Sequence, residues 1–371
     1  MTIASVRLVP YRLPLRDPWP TAEGPVADRD GCIVVLEEKD GPLGLGDAAP
    51  LPGFGLETIA SSVAALRAAA RRLVGLPAAS YIEGAAHLTH LAPVAAAPAA
   101  RHAIDLALHD LAARRAGVPL SVFLGAAAAV DSVPANAAIP RVDPARAASL
   151  ARDAVGAGAR TIKVKVGGGP LHQDLARVRA VREEVGDPVA IRLDANQAWT
   201  EAEAITALAA LHVYALEYVE QPVLASDVAG LARVRRAAGV PIAADEAVSD
   251  ARAARRILDL EAADVLVLKP MVLGGLHAAR EVAAMARERG VLVVVTSLVE
   301  SAVGRTGALH LAASLGAAPL AHGVATGDAL LEDVAAAPTM RQGAVAVPGG
   351  PGLGISLDPR RLQGAAVVEA A

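Results

Sequence analysis

The sequence predicts a closed β/α barrel that follows a smaller domain of antiparallel strands and helices. Five short apolar runs in the middle of the chain each end in a charged residue, namely Lys165, Asp194, Glu220, Asp245 and Lys269. Successive charged ends lie 24 to 29 residues apart, which is close to the length of one βαβ crossover (about 30 residues). Because strand carboxyl ends converge on one face of a closed barrel, we expect these charges to share one site.

The first fifty residues predict antiparallel strands, because apolar and polar residues alternate and a Lys-Asp-Gly run at 39–41 is a hairpin signal. The segment 16–30 is polar and contains Pro and Gly, which predicts a mobile loop. Its Trp19 is either a packed anchor or part of a lid over the substrate. Phe54 stands between two glycines and is open to the same two interpretations.

Hydrophobic periodicity then predicts helices and alternating strands. Helices are expected over 57–75, 79–91 and 98–116, and in the barrel over 171–186, 201–213, 274–289 and 301–315. Eight strands are expected near 133–139, 161–166, 189–194, 215–220, 241–245, 264–269, 291–297 and 319–323. Continuous apolar runs such as the one at 291–297 are typical of a parallel sheet buried on both faces.

Composition limits the possible functions of the chain. Its 371 residues are 54% hydrophobic and 20% charged, which predicts a large core. A net charge of −4 and no cluster of basic residues disfavour nucleic acid as a partner. The single cysteine, Cys32, argues against a disulfide framework and a cysteine-ligated metal. With no signal peptide or transmembrane pattern, we expect a cytoplasmic protein without a membrane partner.

The carboxylates Asp194, Glu220 and Asp245 predict a metal site. Hard oxygen ligands suit Mg²⁺ or Mn²⁺, and without a cation three such charges would repel one another and raise at least one pKa. A single carboxylate of this kind is more often a solvated charge at the barrel rim. Three on consecutive strands, bracketed by lysines, favour one divalent ion per active site.

The lysines predict acid/base chemistry. Lys163 and Lys165 lie two apart on one strand and face the same side. Inside a barrel they are costly unless they meet opposite charge or do chemistry. We expect their mutual proximity and the metal to lower their pKa values, so that a neutral amine serves as a base. Lys269 is expected on the sixth strand, across the barrel from Lys165. This frame suits removal of a proton α to a carboxylate of a small-molecule substrate, with a cation stabilising the developing charge.

The motifs KVK, LDAN, EQP, ADE and LKP, in this order on successive strands, resemble the muconate-lactonizing-enzyme subgroup of the enolase superfamily. The resemblance covers essentially the whole chain. It implies a (β/α)₇β barrel over residues 126–344. It also implies an α+β capping domain over 1–125, completed by residues 345–371. The family commonly forms dimers to octamers, so we expect a homo-oligomer.

The resemblance also implies roles for the charged residues. It assigns Asp194, Glu220 and Asp245 as Mg²⁺ ligands, which Asn196 and Glu246 orient from behind. The catalytic pair would be the lysines at the ends of the second and sixth strands, Lys165 and Lys269. Lys163 would be an accessory lysine that tunes Lys165.

The choice of substrate depends on segments outside this frame, because o-succinylbenzoate synthases, N-succinylamino acid racemases, dipeptide epimerases and cycloisomerases share the metal and the lysines. Dipeptide epimerases typically carry Asp-x-Asp after the eighth strand, whereas residues 322–327 here are HGVATG. This run, with Gly323 and Thr326, resembles o-succinylbenzoate synthases, and we expect glycine N–H groups free to bind a succinyl carboxylate. Ser297 and Glu300 either line the site or serve the following helix.

The sequence therefore predicts an o-succinylbenzoate synthase-like lyase of menaquinone biosynthesis. Lys165 would remove the proton and then assist loss of a hydroxyl from the same face, while Lys269 would stabilise the anion by a cation–π contact. A racemase or epimerase with Lys165 and Lys269 as opposed bases is the alternative, and a muconate cycloisomerase is a further one. A non-catalytic metal-binding barrel would have little reason to keep both lysines, and a Schiff-base aldolase would not need the carboxylates.

Overall fold

An antiparallel sheet and a ring of parallel strands carry the fold in a computed structural model. It describes residues 2–21, 24–39, 41–51, 54–55, 57–75, 77, 88, 91–316, 319–362 and 366–369. The strands are β1 Ile3–Thr21, β2 Gly24–Glu38, β3 Leu43–Ala48, β4 Ser132–Pro134, β5 Ala137–Ile139, β6 Thr161–Lys165, β7 Ala190–Asp194, β8 Leu216–Glu220, β9 Ile242–Ala244, β10 Val265–Leu268, β11 Leu292–Val295, β12 Met340–Arg341, β13 Ala344–Ala346 and β14 Ala366–Glu369.

The α-helices flank these strands. They are α1 Ile59–Leu73, α2 Pro98–Ala116, α3 Leu120–Phe123, α4 Pro144–Gly156, α5 Leu171–Val185, α6 Glu201–Leu211, α7 Val228–Ala237, α8 Ala251–Asp259, α9 Pro270–Leu273, α10 Leu276–Glu288 and α11 Ala302–Ser314. None of the helices in the described ranges is both long and apolar enough to cross a bilayer. The helix expected over 79–91 falls almost wholly outside the described residues.

The N-terminal sheet has the order β14-β1-β2-β3 and is antiparallel. The loop expected over 16–30 is wrong, because β1 and β2 stay paired as far as Thr21 and Gly24, with one irregularity between Pro14 and Trp19. Beyond the residues paired with β14 and β3, the described part of this hairpin lies at the edge of the sheet, where β1 has a further single bridge from Leu15 to Leu330. Prolines are tolerated at such edges, and for this reason a Pro-rich segment can form strands here.

The barrel sheet has the order β11-β10-β9-β8-β7-β6-β5, with every neighbour parallel. Two single-residue bridges close the ring, one from Ala135 to His322 and one from Thr296 to Gly323. The expected eighth strand is thus reduced to two bridging residues. β4, the first part of the strand expected at 133–139, leaves the ring and pairs with β13. The predicted class, a (β/α)₇β barrel with an N-terminal α+β domain, is confirmed.

The end of the chain returns to the N-terminal sheet, where β14 pairs with β1 at Ser5–Leu8. A separate apolar core between this sheet and its helices includes Leu66, Ala103 and Leu108. A further small cluster of buried apolar residues includes Tyr218 and Val267 on the barrel strands. The domain boundaries at 125 and 345 stay a prediction.

Helix α2 packs unusually close to β3, and glycines make this possible. A Cβ atom on Gly46 would lie 1.7 Å from the Ala103 carbonyl oxygen, and one on Gly44 would lie 2.1 Å from the Ala107 carbonyl oxygen. Both obstacles are backbone atoms, which cannot move without shifting the helix. The contact between sheet and helix therefore depends on these two glycines.

We expect Gly46→Ala to lower the free energy of unfolding by about 2–3 kcal/mol, because the methyl group forces α2 away from β3. Gly156→Ala is the matched control, since a Cβ there meets nothing within 4 Å and alanine is a better helix former than glycine. Urea unfolding followed by circular dichroism measures both. Equal stability of the two variants would contradict the close packing.

Candidate functional site

Strand register brings the predicted charged residues together at the carboxyl end of the barrel. Lys165 is the pairing partner of Asp194 on the next strand, and Asp194 is the partner of Glu220 on the one after. Asp245 comes directly after β9, and Lys269 comes directly after β10. Because alternate residues of a strand share a face, Lys163 points into the barrel with Lys165.

The carboxylates and lysines alternate in space. The Lys163 ammonium lies 2.6 Å from Glu220 Oε1 and 2.8 Å from Asp194 Oδ2. Lys165 Nζ lies 2.6 Å from the same Asp194 oxygen. Lys269 pairs with Asp245 on the other side of the group. Each carboxylate is almost fully buried, with 1 to 5% of its residue exposed, so these ion pairs are shielded from water.

Asn196 and Glu246 lie beside these pairs. Asn196 Oδ1 accepts a hydrogen bond from Lys165 Nζ at 2.6 Å, and its amide nitrogen donates to Glu246 Oε1 at 3.1 Å. The backbone N–H of Asn196 donates to Asp194 Oδ1 at 3.1 Å. Asn196 has a φ of 43°, a left-handed conformation that asparagine tolerates better than most residues. The turn after β7 thus fixes the orientation of both Asp194 and Lys165.

Gln221 belongs to the same arrangement and was missed, although it stands in the EQP motif. It is fully buried and has a φ of 38°. Its side-chain oxygen accepts from the backbone N–H groups of Asp245, at 2.9 Å, and Ala247, at 3.2 Å. The amide donates to the Val223 carbonyl at 2.9 Å. Gln221 therefore joins the ends of β8 and β9, and a buried amide next to a strand-end carboxylate was the available signal.

Phe54 contacts the site through Lys269. The Lys269 ammonium lies 4.6 Å from the centre of the Phe54 ring, within the range of a cation–π interaction. Met271 and Leu298, from the segments after β10 and β11, line a cavity of about 400 Å³ together with Phe54. The backbone of Trp19 pairs with Val26, but its side chain lies outside the described part of the structure.

Burial and neighbouring charges shift the pKa values of the clustered carboxylates and of Lys163, often in opposite directions. Burial, together with the neighbouring Asp194, raises the pKa of Glu220 to about 7. Burial also raises the pKa of Asp245. Burial acts the same way on Asp194, but Lys163 and Lys165 outweigh it and hold its pKa well below the usual range. Burial lowers the pKa of Lys163, yet Asp194 and Glu220 outweigh burial and raise it; a lowered lysine pKa beside a bound metal stays a prediction.

The chemistry of the donor set, though not its present spacing, suits a hard divalent cation. Asp194, Glu220 and Asp245 present only carboxylate oxygens, and positive charge would relieve the raised pKa of Glu220. Glu246 Oε2 is buried and has no hydrogen-bond partner among the described residues. In those same parts of the chain, no three His, Cys, Asp or Glu side chains converge closely enough to enclose an ion. Lysine ammonium groups lie between the carboxylates instead.

The segment that closes the barrel brings Ser297, Gly323 and Thr326 together. Ser297 Oγ lies 2.8 Å from Thr326 Oγ1 and 3.2 Å from the Gly323 carbonyl oxygen. The expectation of a free Gly323 N–H is wrong, because that group donates to the Val295 carbonyl at 2.9 Å. A Cβ at Gly323 would lie 2.2 Å from Thr296 Oγ1. The glycine serves the close approach of the closing segment to β11.

Glu300 and Ser301 connect the barrel to the N-terminal sheet. The Glu300 carboxylate is buried and accepts the Leu298 backbone N–H. Ser301 caps α11 and donates its hydroxyl to Asp47 Oδ2 at 2.6 Å. Asp47, on β3, also accepts from the Tyr11 hydroxyl at 2.9 Å. Burial, together with nearby Glu300, raises the pKa of Asp47 to about 7 despite these donors.

Comparison with family models places the chain among known proteins. Residues 146–361 match the model described as enolase C-terminal domain-like. Residues 3–125 match the mandelate racemase / muconate lactonizing enzyme N-terminal domain. Both domains of one enzyme family are thus present in this order.

Three relatives carry different activities. A hydrophobic dipeptide epimerase from Enterococcus faecalis is 33% identical over 85% of this chain and 88% of its own length. Its structure with Mg and the dipeptide L-Leu-L-Tyr has a TM-score of 0.88, with 31% identity over 96% of this chain and all of that one.

An N-succinyl-L-Arg/Lys racemase from Bacillus cereus is 31% identical over 85% of both chains. Its structure has a TM-score of 0.91, with 28% identity over the full length of both. An o-succinylbenzoate synthase from Thermobifida fusca is 44% identical over 55% of this chain and 62% of its own length. The chain is thus similar to lyases, racemases and epimerases at once.

The raised pKa of Asp47 predicts that the free energy of unfolding depends on pH. Its pKa of about 7 exceeds the ordinary value of about 4, so the folded state holds a proton that the unfolded state has lost between these pH values. This contribution is fully present below pH ~4 and is lost as the pH rises through ~7. The quantity to follow is the difference in free energy of unfolding between the wild-type protein and Asp47→Asn. We expect this difference to fall by roughly 2–4 kcal/mol as the pH rises from ~4 to ~7.

Urea unfolding at a series of pH values checks this difference. Ser301→Ala is the control, because it removes a donor to Asp47 but keeps the titrating carboxyl, so the slope should persist. A pH-independent difference between the protein and Asp47→Asn would show that Asp47 does not titrate in this range.

Proposed function

Because the chain belongs to the mandelate racemase / muconate lactonizing enzyme family of the enolase superfamily, we propose that it dehydrates a cyclohexadiene carboxylate as o-succinylbenzoate synthases do. The substrate would carry a succinyl chain and a hydroxyl group on the ring. The chain is an enzyme of the lyase or racemase/epimerase kind that this superfamily contains. The finer assignment, including a place in menaquinone biosynthesis, is our proposal.

One observation carries the proposed chemistry. Three buried carboxylates alternate with Lys163, Lys165 and Lys269 at the mouth of the barrel. Proposed metal ligands are Asp194, Glu220 and Asp245. A bound divalent cation, Mg²⁺ or Mn²⁺, would supply positive charge to the substrate carboxylate and so make the α-proton more acidic. Mg in the structure of the epimerase relative supports this choice.

In this proposal the three lysines have different roles. Lys165 takes the proton α to the carboxylate, and its hydrogen bonds to Asp194 and Asn196 fix its position. The same ammonium then donates a proton to the departing hydroxyl on the same face, which leaves an aromatic ring. Lys269 stays protonated and stabilises negative charge on the opposite face, with Phe54 covering part of it. Lys163 holds Glu220 and Asp194 together.

The segment that closes the barrel supports the lyase over a dipeptide epimerase. In the epimerases of this family an Asp-x-Asp pair after the eighth strand holds the substrate's ammonium group. The corresponding residues 322–327 contain no carboxylate, and Ser297 and Thr326 face each other there through hydroxyl groups. A substrate without a free ammonium group therefore suits this end of the site. The 44% identity to the Thermobifida synthase agrees with this assignment.

Racemisation of an N-succinylated amino acid is the second candidate. The Bacillus racemase has a TM-score of 0.91 with this chain over its full length, and its substrates likewise carry a succinyl group on nitrogen in place of a free ammonium. Lys165 and Lys269 would then be opposed bases, one for each face. Both activities use the same α-proton, so the candidates differ in the fate of the carbanion.

We expect the enzyme with added Mg²⁺ to consume the diene carboxylate, because the rate depends on a positive charge beside the buried carboxylates. Loss of the diene's ultraviolet absorbance measures turnover. Chelation with EDTA should abolish it, and excess Mg²⁺ should restore it. Turnover that persists after chelation would contradict the metal proposal. If only N-succinyl amino acids exchange their α-proton with D₂O, the racemase replaces the synthase.

We expect Lys165→Arg and Lys269→Arg to separate the two candidates. Arginine keeps the positive charge but cannot act as a base. Lys165→Arg should therefore reduce dehydration by about 10²–10⁴-fold. Lys269→Arg should leave part of the dehydration intact but stop deuterium exchange for one enantiomer of an N-succinyl amino acid. An equal loss of dehydration in both variants would show that the division of roles is wrong.

A further inference from the structure

Arg29 forms an unusual buried contact between the N-terminal sheet and the barrel. It lies on β2, is 3% exposed, and donates to three backbone carbonyl groups. Nη2 lies 2.7 Å from the Ala49 oxygen, Nη1 lies 3.1 Å from the Pro50 oxygen, and Nε lies 3.2 Å from the Val299 oxygen. One side chain thus joins two loops that are 250 residues apart in the sequence.

Both loops lead to the candidate site. Ala49 and Pro50 directly follow β3 and precede Phe54, whose ring covers the Lys269 ammonium. Val299 lies in the segment 297–301 between β11 and α11. That segment carries Ser297, which faces Thr326 at the barrel mouth. The guanidinium therefore bonds the stretch Ala49–Leu51, which leads to Phe54 and is called the Phe54 loop below, to the segment 297–301.

The segment 297–301 needs such support, because its backbone is strained. Val299 has a φ of 60°, a left-handed conformation that is rare for a β-branched residue and costs free energy. Contacts on each side hold it in place. The Glu300 carboxylate accepts the Leu298 N–H, and Asp47 accepts the Ser301 N–H at 3.1 Å. The Arg29 bond to the Val299 carbonyl acts on the strained residue itself.

We propose that Arg29 is a positioning residue that sets the Phe54 loop against the segment 297–301, and so sets how the substrate fits beside Lys269. Only a guanidinium offers donors in a planar fork that can reach three carbonyl groups at once. A lysine at this position would satisfy fewer of them. The catalytic consequence rests on the proposed function, whereas the effect on the two loops does not.

The test compares Arg29→Met, Arg29→Lys and a matched control, Arg182→Met. Arg182 also donates to backbone carbonyl groups, those of Gly186, Val189, Tyr214 and Ala215. These residues lie at the amino ends of β7 and β8, away from the barrel mouth. Both methionine variants remove one arginine and several bonds to carbonyl oxygens. Because Arg29 is buried and Arg182 half-buried, the melting temperature of each variant gives its own structural cost.

Hydrogen–deuterium exchange measured by mass spectrometry gives the first readout, which needs no substrate. In Arg29→Met, the backbone amide hydrogens of residues 43–51 and 297–301 should exchange about tenfold faster than in the wild-type protein. Arg29→Lys should lie between the two. Arg182→Met should show faster exchange near 186–189 and 214–215 and none of the changes at the barrel mouth. Unchanged exchange in Arg29→Met would overturn the proposal.

Steady-state kinetics with whichever substrate the enzyme turns over give the second readout. Arg29→Met should lower kcat/KM by about 10- to 100-fold, because small displacements near reacting groups have large effects on rate. Arg29→Lys should recover part of this loss, and Arg182→Met should not change kcat/KM. Equal losses in the two methionine variants, or unchanged kcat/KM in Arg29→Met, would overturn the positioning role. A wild-type protein inactive on both substrate classes would refute the proposed function, and exchange would still decide the loop positioning.

Discussion

The rest of the site depends on one constraint, the crowding of buried charges at the carboxyl ends of β6 to β10. Buried carboxylates cannot all ionise unless positive charge lies next to them, since burial and mutual repulsion both favour the neutral form. The protein meets this requirement with lysines at 2.6 to 2.8 Å from Asp194 and Glu220. The barrel makes such contacts possible, because neighbouring parallel strands end together and place their last inward residues side by side.

This constraint extends into the backbone that follows each strand. Asn196, Gln197 and Gln221 all have positive φ values, although none is a glycine. Such conformations persist where surrounding contacts compensate for their cost. Here the compensation comes from hydrogen bonds of the same residues to Asp194, to the Ala225 N–H and to the Asp245 N–H. The turns that hold the carboxylates in place are therefore strained and at the same time well bonded.

The sequence was informative where chemistry repeats at the spacing of the fold. The barrel strands, helix α2 and the group of Lys163, Lys165, Asp194, Glu220, Asp245 and Lys269 followed from periodicity and motif order. Sequence patterns were weaker where partners are distant. The prolines near Trp19 suggested a loop, because nothing local shows that the hairpin lies at the edge of the sheet. Gly323 suggested a free N–H, because its partner on β11 lies almost thirty residues away. The raised pKa of Lys163 depends on a balance between burial and two carboxylates, which only coordinates reveal.

The two parts of the chain contribute different side chains to the candidate site. The barrel alone contributes the carboxylates and lysines. The N-terminal part contributes Phe54 over Lys269, Asp47 against Ser301 and Arg29 against Val299. With Asp245 of the barrel paired to one side of the Lys269 ammonium and Phe54 over another, the surroundings of Lys269 come from both parts of the chain. Changes in the N-terminal part can therefore alter the surroundings of Lys269 without changing the buried carboxylates and lysines of the barrel.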